Sequence, residues 1–240
     1  MTDELHDVRA LAFDIFGTVV DWRSSIIREG QALEQRLGLA ADWPALADAW
    51  RAGYRPAMAE VAAGERAWAT IDVLHRQILD DLLPRFGLES LSEEERDQFN
   101  RAWHRLAAWP DSVAGLARLR SAFVTTTLSN GNVALLVNLT RGADLRFDCV
   151  LSAELIGRFK PDLEVYRAGA RLLGLAPSQV MLVAAHPRDL AAAQQAGLKT
   201  AYIPRPDEHG PGGWMEATGQ TRFDLVAPDL MAMANQLGIA

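Results

Sequence analysis

Leu11-Ala12-Phe13-Asp14-Ile15-Phe16-Gly17-Thr18 runs an apolar strand into a carboxylate and then into a tight Gly-Thr turn. Read as strand then loop, it puts Asp14 at the carboxyl end of a β-strand. In open parallel α/β sheets, ligands collect outside those ends. A carboxylate placed there can attack an electrophilic carbon or phosphorus and form a covalent intermediate.

The chain that follows tells which kind of sheet this strand joins. From about Trp22 to about Ala108 the apolar positions recur with helical spacing, as in Ile26-Ile27, Leu33, Leu37, Val73-Leu74, Ile78-Leu79 and Leu82-Leu83. No strand pattern interrupts them. Turn signals fall at Gly38, Trp43-Pro44, Gly53, Gly64, Pro84 and Gly87, and Ser92-Glu93-Glu94-Glu95 reads as an N-cap with an acidic first turn. From Pro110 onward, strands and helices alternate. The pattern predicts helices at 112–121, 133–140, 163–173 and 189–196, and strands at 122–128, 149–152, 180–185 and 200–203. This succession implies a parallel sheet covered by helices. The expected organisation is therefore an α/β chain: a Rossmann-like core from 1–21 and 109–240, interrupted by a helical cap domain at 22–108. Pro204 to Gln220, rich in Pro and Gly, reads as a long loop near the strand ends.

Composition narrows the function. At 240 residues the chain is long enough to bury a site, and 49% hydrophobic with 23% charged residues is ordinary for a globular protein. A formal charge of −7 with no run of Lys or Arg argues against nucleic-acid binding, which needs clustered cations. It does not exclude a small anionic substrate. The single cysteine, Cys149, has no disulfide partner, and the N-terminus lacks the basic and apolar regions of a signal peptide. No apolar run approaches a membrane span. The expectation is a soluble cytoplasmic protein that meets neither membrane nor nucleic acid.

Four segments at strand ends carry the chemistry. They are Asp14 with Thr18; Ser129-Asn130-Gly131-Asn132 after a Thr-rich strand; Gly157-Arg158-Phe159-Lys160-Pro161-Asp162; and Ala184-Ala185-His186-Pro187-Arg188-Asp189. Pro161 biases Lys160 toward an extended backbone, outside the following helix. Each segment alone has an ordinary reading: a turn, an Asn-Gly loop, a surface lysine, an N-cap aspartate. Their order, each at the end of a strand of one sheet, makes them one site.

With these residues in view, the chain resembles the haloacid dehalogenase superfamily and, within it, the L-2-haloacid dehalogenases. The resemblance covers nearly the whole chain, and the helical segment matches the family's cap. It implies hydrolysis of a 2-halocarboxylate to a 2-hydroxycarboxylate with no metal and no other cofactor, and it implies a homodimer. By the same resemblance Asp14 is the nucleophile that displaces halide, Thr18 orients it, Lys160 supplies positive charge and Asp189 holds Lys160. Ser129, Asn130 and the backbone amides of Ile15 and Phe16 match the substrate-carboxylate site, and Tyr166 matches a tyrosine beside it. In Trp50-Arg51, Arg51 matches the arginine that receives the departing halide, and Trp68 is expected to wall the same pocket.

Two departures from the superfamily's phosphatases, and one from the dehalogenases themselves, bear on this reading. Its phosphatases carry a second Asp two residues after the nucleophile; here Phe16 stands there, so no acid protonates a leaving alkoxide. Ala184-Ala185 replaces the Gly-Asp pair that helps to hold Mg²⁺. His186 stands where dehalogenases commonly have Asn, and with Arg51 it is expected to tighten the halide pocket around a small halide, so that fluoroacetate is turned over. The alternatives are a phosphatase or phosphonatase of the same superfamily and a non-catalytic binding member.

Overall fold

The structure is a computed structural model that describes residues 5–219 and 221–239. The first four residues of the expected core, Gln220 at the end of the expected loop, and Ala240 lie outside them. β1 (Ala10–Phe13) leads through the Asp14 turn to β2 (Val20–Asp21). Four helices follow: α1 (Trp22–Leu37), α2 (Trp43–Ala62), α3 (Ile71–Leu82) and α4 (Glu93–Asn100). β3 (Ala107–Ala108) then runs antiparallel to β2, so the two ends of the helical insert leave the sheet side by side. After it come α5 (Ser112–Arg120), β4 (Val124–Ser129), α6 (Val133–Gly142), β5 (Cys149–Ser152) and α7 (Leu163–Leu172). The chain closes with β6 (Val180–Ala184), α8 (Pro187–Ala196), β7 (Lys199–Tyr202), β8 (Leu225–Val226) and α9 (Leu230–Gln236).

The six-stranded sheet has the order β5-β4-β1-β6-β7-β8 and every pairing in it is parallel. β1 lies between β4 and β6, with all four residues buried. A strand covered on both faces has no polar side, which is why it reads as an unbroken apolar run. The threonines of β4 are tolerated in the core because their hydroxyls are bonded, Thr125 to Asp148 and Thr127 to the Leu151 carbonyl.

The elements follow the sequence pattern with shifted ends and a few additions. β3 falls inside the segment expected to hold no strand, and β8 and α9 were not expected. β3 and β8, at two residues each, are too short to show a period of two. α8 starts at Pro187, not at Asp189, because proline's fixed φ suits the first turn of a helix and its missing N–H costs nothing there. Asp189 thus lies inside the first turn. At Ser92 the capping box is formed, with Ser92 and Glu95 bonding reciprocally.

The insert is fastened to the core by a polar bridge. Asn132, at the start of α6, accepts from the Asp72 amide at 3.2 Å and donates to the Asp72 carboxylate at 2.9 Å. His104 spans Asp72 at 2.9 Å and Asn138 at 3.0 Å. Among the described residues no helix is long and apolar enough to cross a membrane.

One glycine ties the fold to the site. Gly17 has φ of +85°, and a Cβ there would stand 2.2 Å from a carboxylate oxygen of Glu208. Gly17→Ala is expected to lower stability by about 1–3 kcal/mol through backbone strain alone, and more through the collision. Gly142→Ala, in open space at the end of α6, is expected to leave stability unchanged or slightly raised. Urea unfolding of the two variants checks both; equal midpoints would contradict the packing around Gly17.

Candidate active site

The turn after β1 is held from several sides. Trp109 Nε1 donates to the Gly17 carbonyl at 3.0 Å, Ser112 Oγ to that of Val19 at 2.7 Å, and Arg205 Nε to that of Thr18 at 2.9 Å. Arg205 is itself fixed by a two-bond pair with Asp111. The Thr18 hydroxyl accepts the Ala185 amide at 2.9 Å and donates to Asp14 Oδ2 at 2.8 Å. Asp14 is therefore fixed in position at the end of β1 and only 7% exposed.

Lys160 answers its charge. The buried ammonium lies 3.3 Å from Asp14 Oδ1 and 2.6 Å from Asp189 Oδ2. Asn130 positions the lysine from behind: its Oδ1 accepts the Lys160 amide at 2.7 Å and its Nδ2 donates to the Lys160 carbonyl at 3.3 Å. The Asn130 side chain is thus turned to the Lys160 backbone, with the Met58 sulfur and the Tyr54 hydroxyl also against it. Tyr166 is fully buried and its hydroxyl donates to the other Asp189 oxygen. Ser129 accepts the Gly131 amide and stands buried at the end of β4. The structure thus gathers Asp14, Thr18, Ser129, Asn130, Lys160, Tyr166 and Asp189, but it turns Asn130 toward the Lys160 loop and Tyr166 toward Asp189.

His186 lies between two acids. Its Nδ1 lies 3.1 Å from Asp14 Oδ2 and its Nε2 lies 3.0 Å from both oxygens of Glu208. Both nitrogens are engaged by carboxylates, one on each side of the ring. Glu208 was missed. It lies in the loop after β7, 6% exposed, and also accepts from Trp22 Nε1 at 3.0 Å. In the sequence it looked like any other acid in a Gly- and Pro-rich loop, and only the position of that loop near the strand ends pointed to it. Beside the pair is a cavity of about 20 Å³, lined in part by Ala185, Tyr202 and His209, room for one water molecule.

The charges sustain one another. Burial opposes ionisation of Asp14, but Lys160 and then His186 and Thr18 hold its carboxyl well below the usual carboxylate range. Burial likewise opposes charge on Lys160, and Asp14 and Asp189 outweigh it and raise its pKa. For His186, burial is outweighed by Glu208 and Asp14, which push its pKa up to about 10. Glu208 is held down to about 2, against burial, chiefly by His186. At neutral pH the ring is an imidazolium between two carboxylates.

Above this cluster the insert presents an aromatic shell. Phe16 packs edge-on against Tyr54, His75 and Trp103 at centroid distances of 6.4, 6.4 and 5.8 Å. The Arg51 guanidinium lies over Tyr54 at 4.6 Å and Trp22 at 5.6 Å, and its Nη1 is buried with no hydrogen-bond partner among the described residues. His75 and the Trp103 indole nitrogen are also unpartnered there. Burial, followed by the Arg51 charge, pushes the His75 pKa down to about 3, so that imidazole is neutral. Trp68 is not in this shell. It lies 37% exposed in the α2–α3 loop, its ring 4.4 Å from that of Phe159, because the short loop brings it onto the core beside Lys160.

Comparison with known proteins gives the family of the chain. The family model of haloacid dehalogenase-like hydrolases matches residues 8–197. The chain is 30% identical over 217 residues to (S)-2-haloacid dehalogenase 4A of Burkholderia cepacia, covering 85% of each sequence. The crystal structure of an L-2-haloacid dehalogenase superposes with a TM-score of 0.93 at 46% identity, over 96% of this chain and 99% of that one. A crystal structure described as a defluorinating L-2-haloacid dehalogenase gives a TM-score of 0.93 at 41% identity, over 96% and 95%.

The charged His186 makes a pH-dependent contribution to stability. Its pKa is raised from 6.5, so the contribution is full below 6.5 and is lost as pH rises through about 10. Glu208 is lowered from 4.5, so its contribution is full above 4.5 and is lost as pH falls through about 2. Between 4.5 and 6.5 both are complete. The stability difference between wild type and His186→Asn, from urea unfolding, is expected to be largest in that window and to shrink toward pH 10. A difference independent of pH would mean that the ring carries no charge.

Proposed function

The chain belongs to the haloacid dehalogenase-like hydrolases, and within them to the (S)-2-haloacid dehalogenases, and from that premise we propose that it hydrolyses small 2-halocarboxylates to 2-hydroxycarboxylates through an ester on Asp14. The observation that carries the reading is the separation of two cations, Lys160 buried and Arg51 half-buried. Lys160 is tied to Asp14 and Asp189, while Arg51 keeps an unpartnered nitrogen in the aromatic shell.

The chemistry needs both. An Asp14 oxygen attacks C2, the new C–O bond forms, and the C2–halogen bond breaks with its electron pair on the halogen. The halide leaves as an anion and needs no proton, so the missing acid at Phe16 is no defect. Arg51 receives it where water is excluded and a donor is worth more than in solution. The substrate brings a second carboxylate toward Asp14. Lys160, Ser129 and the amides of Ile15 and Phe16 offset that repulsion. Water then adds to the Asp14 carboxyl carbon and releases the 2-hydroxyacid. The single cysteine is free, which fits action in the reducing cytoplasm.

The reading extends to fluoroacetate. Fluoride is a poor leaving group and depends more on N–H donors than chloride does. The unpartnered Arg51, His75 and Trp103 nitrogens supply them, and the neighbouring structure described as defluorinating supports the extension.

A single turnover in ¹⁸O-water is expected to place label in Asp14 and none in the first equivalent of product; label entering product directly would sink the mechanism. Asp14→Asn is expected to abolish halide release, by more than about 10³-fold. Arg51→Ala is expected to slow fluoride release, followed with a fluoride electrode, by about 10²-fold and chloride release by less. Chloroacetate turnover without fluoroacetate turnover would remove the extension alone.

A further inference from the structure

Displacement of halide by Asp14 leaves His186 and Glu208 without a task, because Arg51 takes the leaving anion. The geometry at the two Asp14 oxygens gives them one. Oδ2 receives two donors, the Thr18 hydroxyl at 2.8 Å and His186 Nδ1 at 3.1 Å, whereas Oδ1 meets only the Lys160 ammonium at 3.3 Å. An ionised carboxylate only accepts hydrogen bonds, so a ring set between Asp14 and Glu208 donates from both nitrogens. Oδ1 keeps the more available lone pairs and is the attacking oxygen. Oδ2 then becomes the carbonyl oxygen of the ester, with two donors already aimed at it.

Resting on the reading of Asp14 as the ester-forming nucleophile, we propose that His186 is a catalytic oxyanion donor in the hydrolysis of that ester, and that Glu208 is the positioning residue that holds its ring in place. In this step a water oxygen bonds to Cγ while the carbonyl electron pair moves onto Oδ2. Thr18 O–H and His186 Nδ1–H receive the charge. When the pair returns, the Cγ–Oδ1 bond breaks and Oδ1 leaves on the product, taking one proton of the water to become its hydroxyl. The second water proton departs as Asp14 ionises again, and no other reactant is consumed. Donors set in advance around a developing oxyanion are among the largest contributions to catalysis. Glu208 is well built for its part: Trp22 fixes one of its oxygens, and Gly17, in the nucleophile's own turn, leaves room for its carboxylate.

The two half-reactions can be timed separately by rapid mixing with chloroacetate, reading chloride release and the mass of the Asp14 peptide. In His186→Ala, one equivalent of chloride is expected at close to the wild-type rate, followed by turnover about 10²-fold slower with the ester adduct accumulating on Asp14. His186→Asn restores an N–H donor that cannot accept a proton, and is expected to turn over well above His186→Ala. Glu208→Gln is expected to fall between wild type and His186→Ala. Equal slowing of the chloride burst and of turnover, or His186→Asn no faster than His186→Ala, would overturn the assignment. If His186→Ala does not fold, the burst-to-turnover comparison in His186→Asn and Glu208→Gln decides it. Wild type that labels Asp14 from ¹⁸O-water while the variants slow both steps equally removes only this role of His186; wild type that never labels Asp14 removes the ester itself.

Discussion

A carboxylate enclosed by protein must be matched by positive charge within hydrogen-bond reach, since isolated burial of an ion is far costlier than any single contact can offset. Asp14 is that carboxylate here, and much of the surrounding structure serves its ionisation. Lys160 reaches it from the loop after β5, Thr18 from its own turn and His186 from the end of β6. Each cation then needs a partner of its own, Asp189 for Lys160 and Glu208 for His186. With Arg51 in the insert, three buried or half-buried cations face three acids. A carboxylate held in this way stays ionised, and the charges around it are set when the chain folds.

The insert complements this charged floor with an apolar ceiling. Phe16 links the two: its backbone belongs to the Asp14 turn, while its ring packs among Tyr54, His75 and Trp103. The side chain that takes the place of a general acid is thus the one that joins core to insert. The aromatic rings around Arg51 lower the local dielectric, and charge interactions grow as it falls.

Parts of this were legible because they are local. An apolar run ending in Asp, a lysine before a proline, and the βα alternation after Pro110 each write their structure into a few adjacent residues. The short strands β3 and β8 were not, since two residues carry no periodicity. Tyr166, Asn130 and His186 lie at the strand ends, where the sequence placed them, but their partners were not legible, because residue type and spacing say that a side chain reaches the strand ends and not which of several acceptors it meets there. Trp68 was drawn toward the halide pocket by its chemistry alone, and the length of the α2–α3 loop carries it to Phe159 instead.

The sequence by itself determined the parallel sheet, the helical insert, and the carboxylate and lysine at the strand ends, for these rest on backbone preferences and hydrophobic period within one segment at a time. Tertiary structure alone decided the charge relations. Glu208 is 194 residues from Asp14 in the chain, yet a single imidazole spans the two. That bridge depends on where a loop after the fifth strand in the sheet returns over a glycine after the first, and on the energy gained when buried opposite charges meet, which no local pattern encodes.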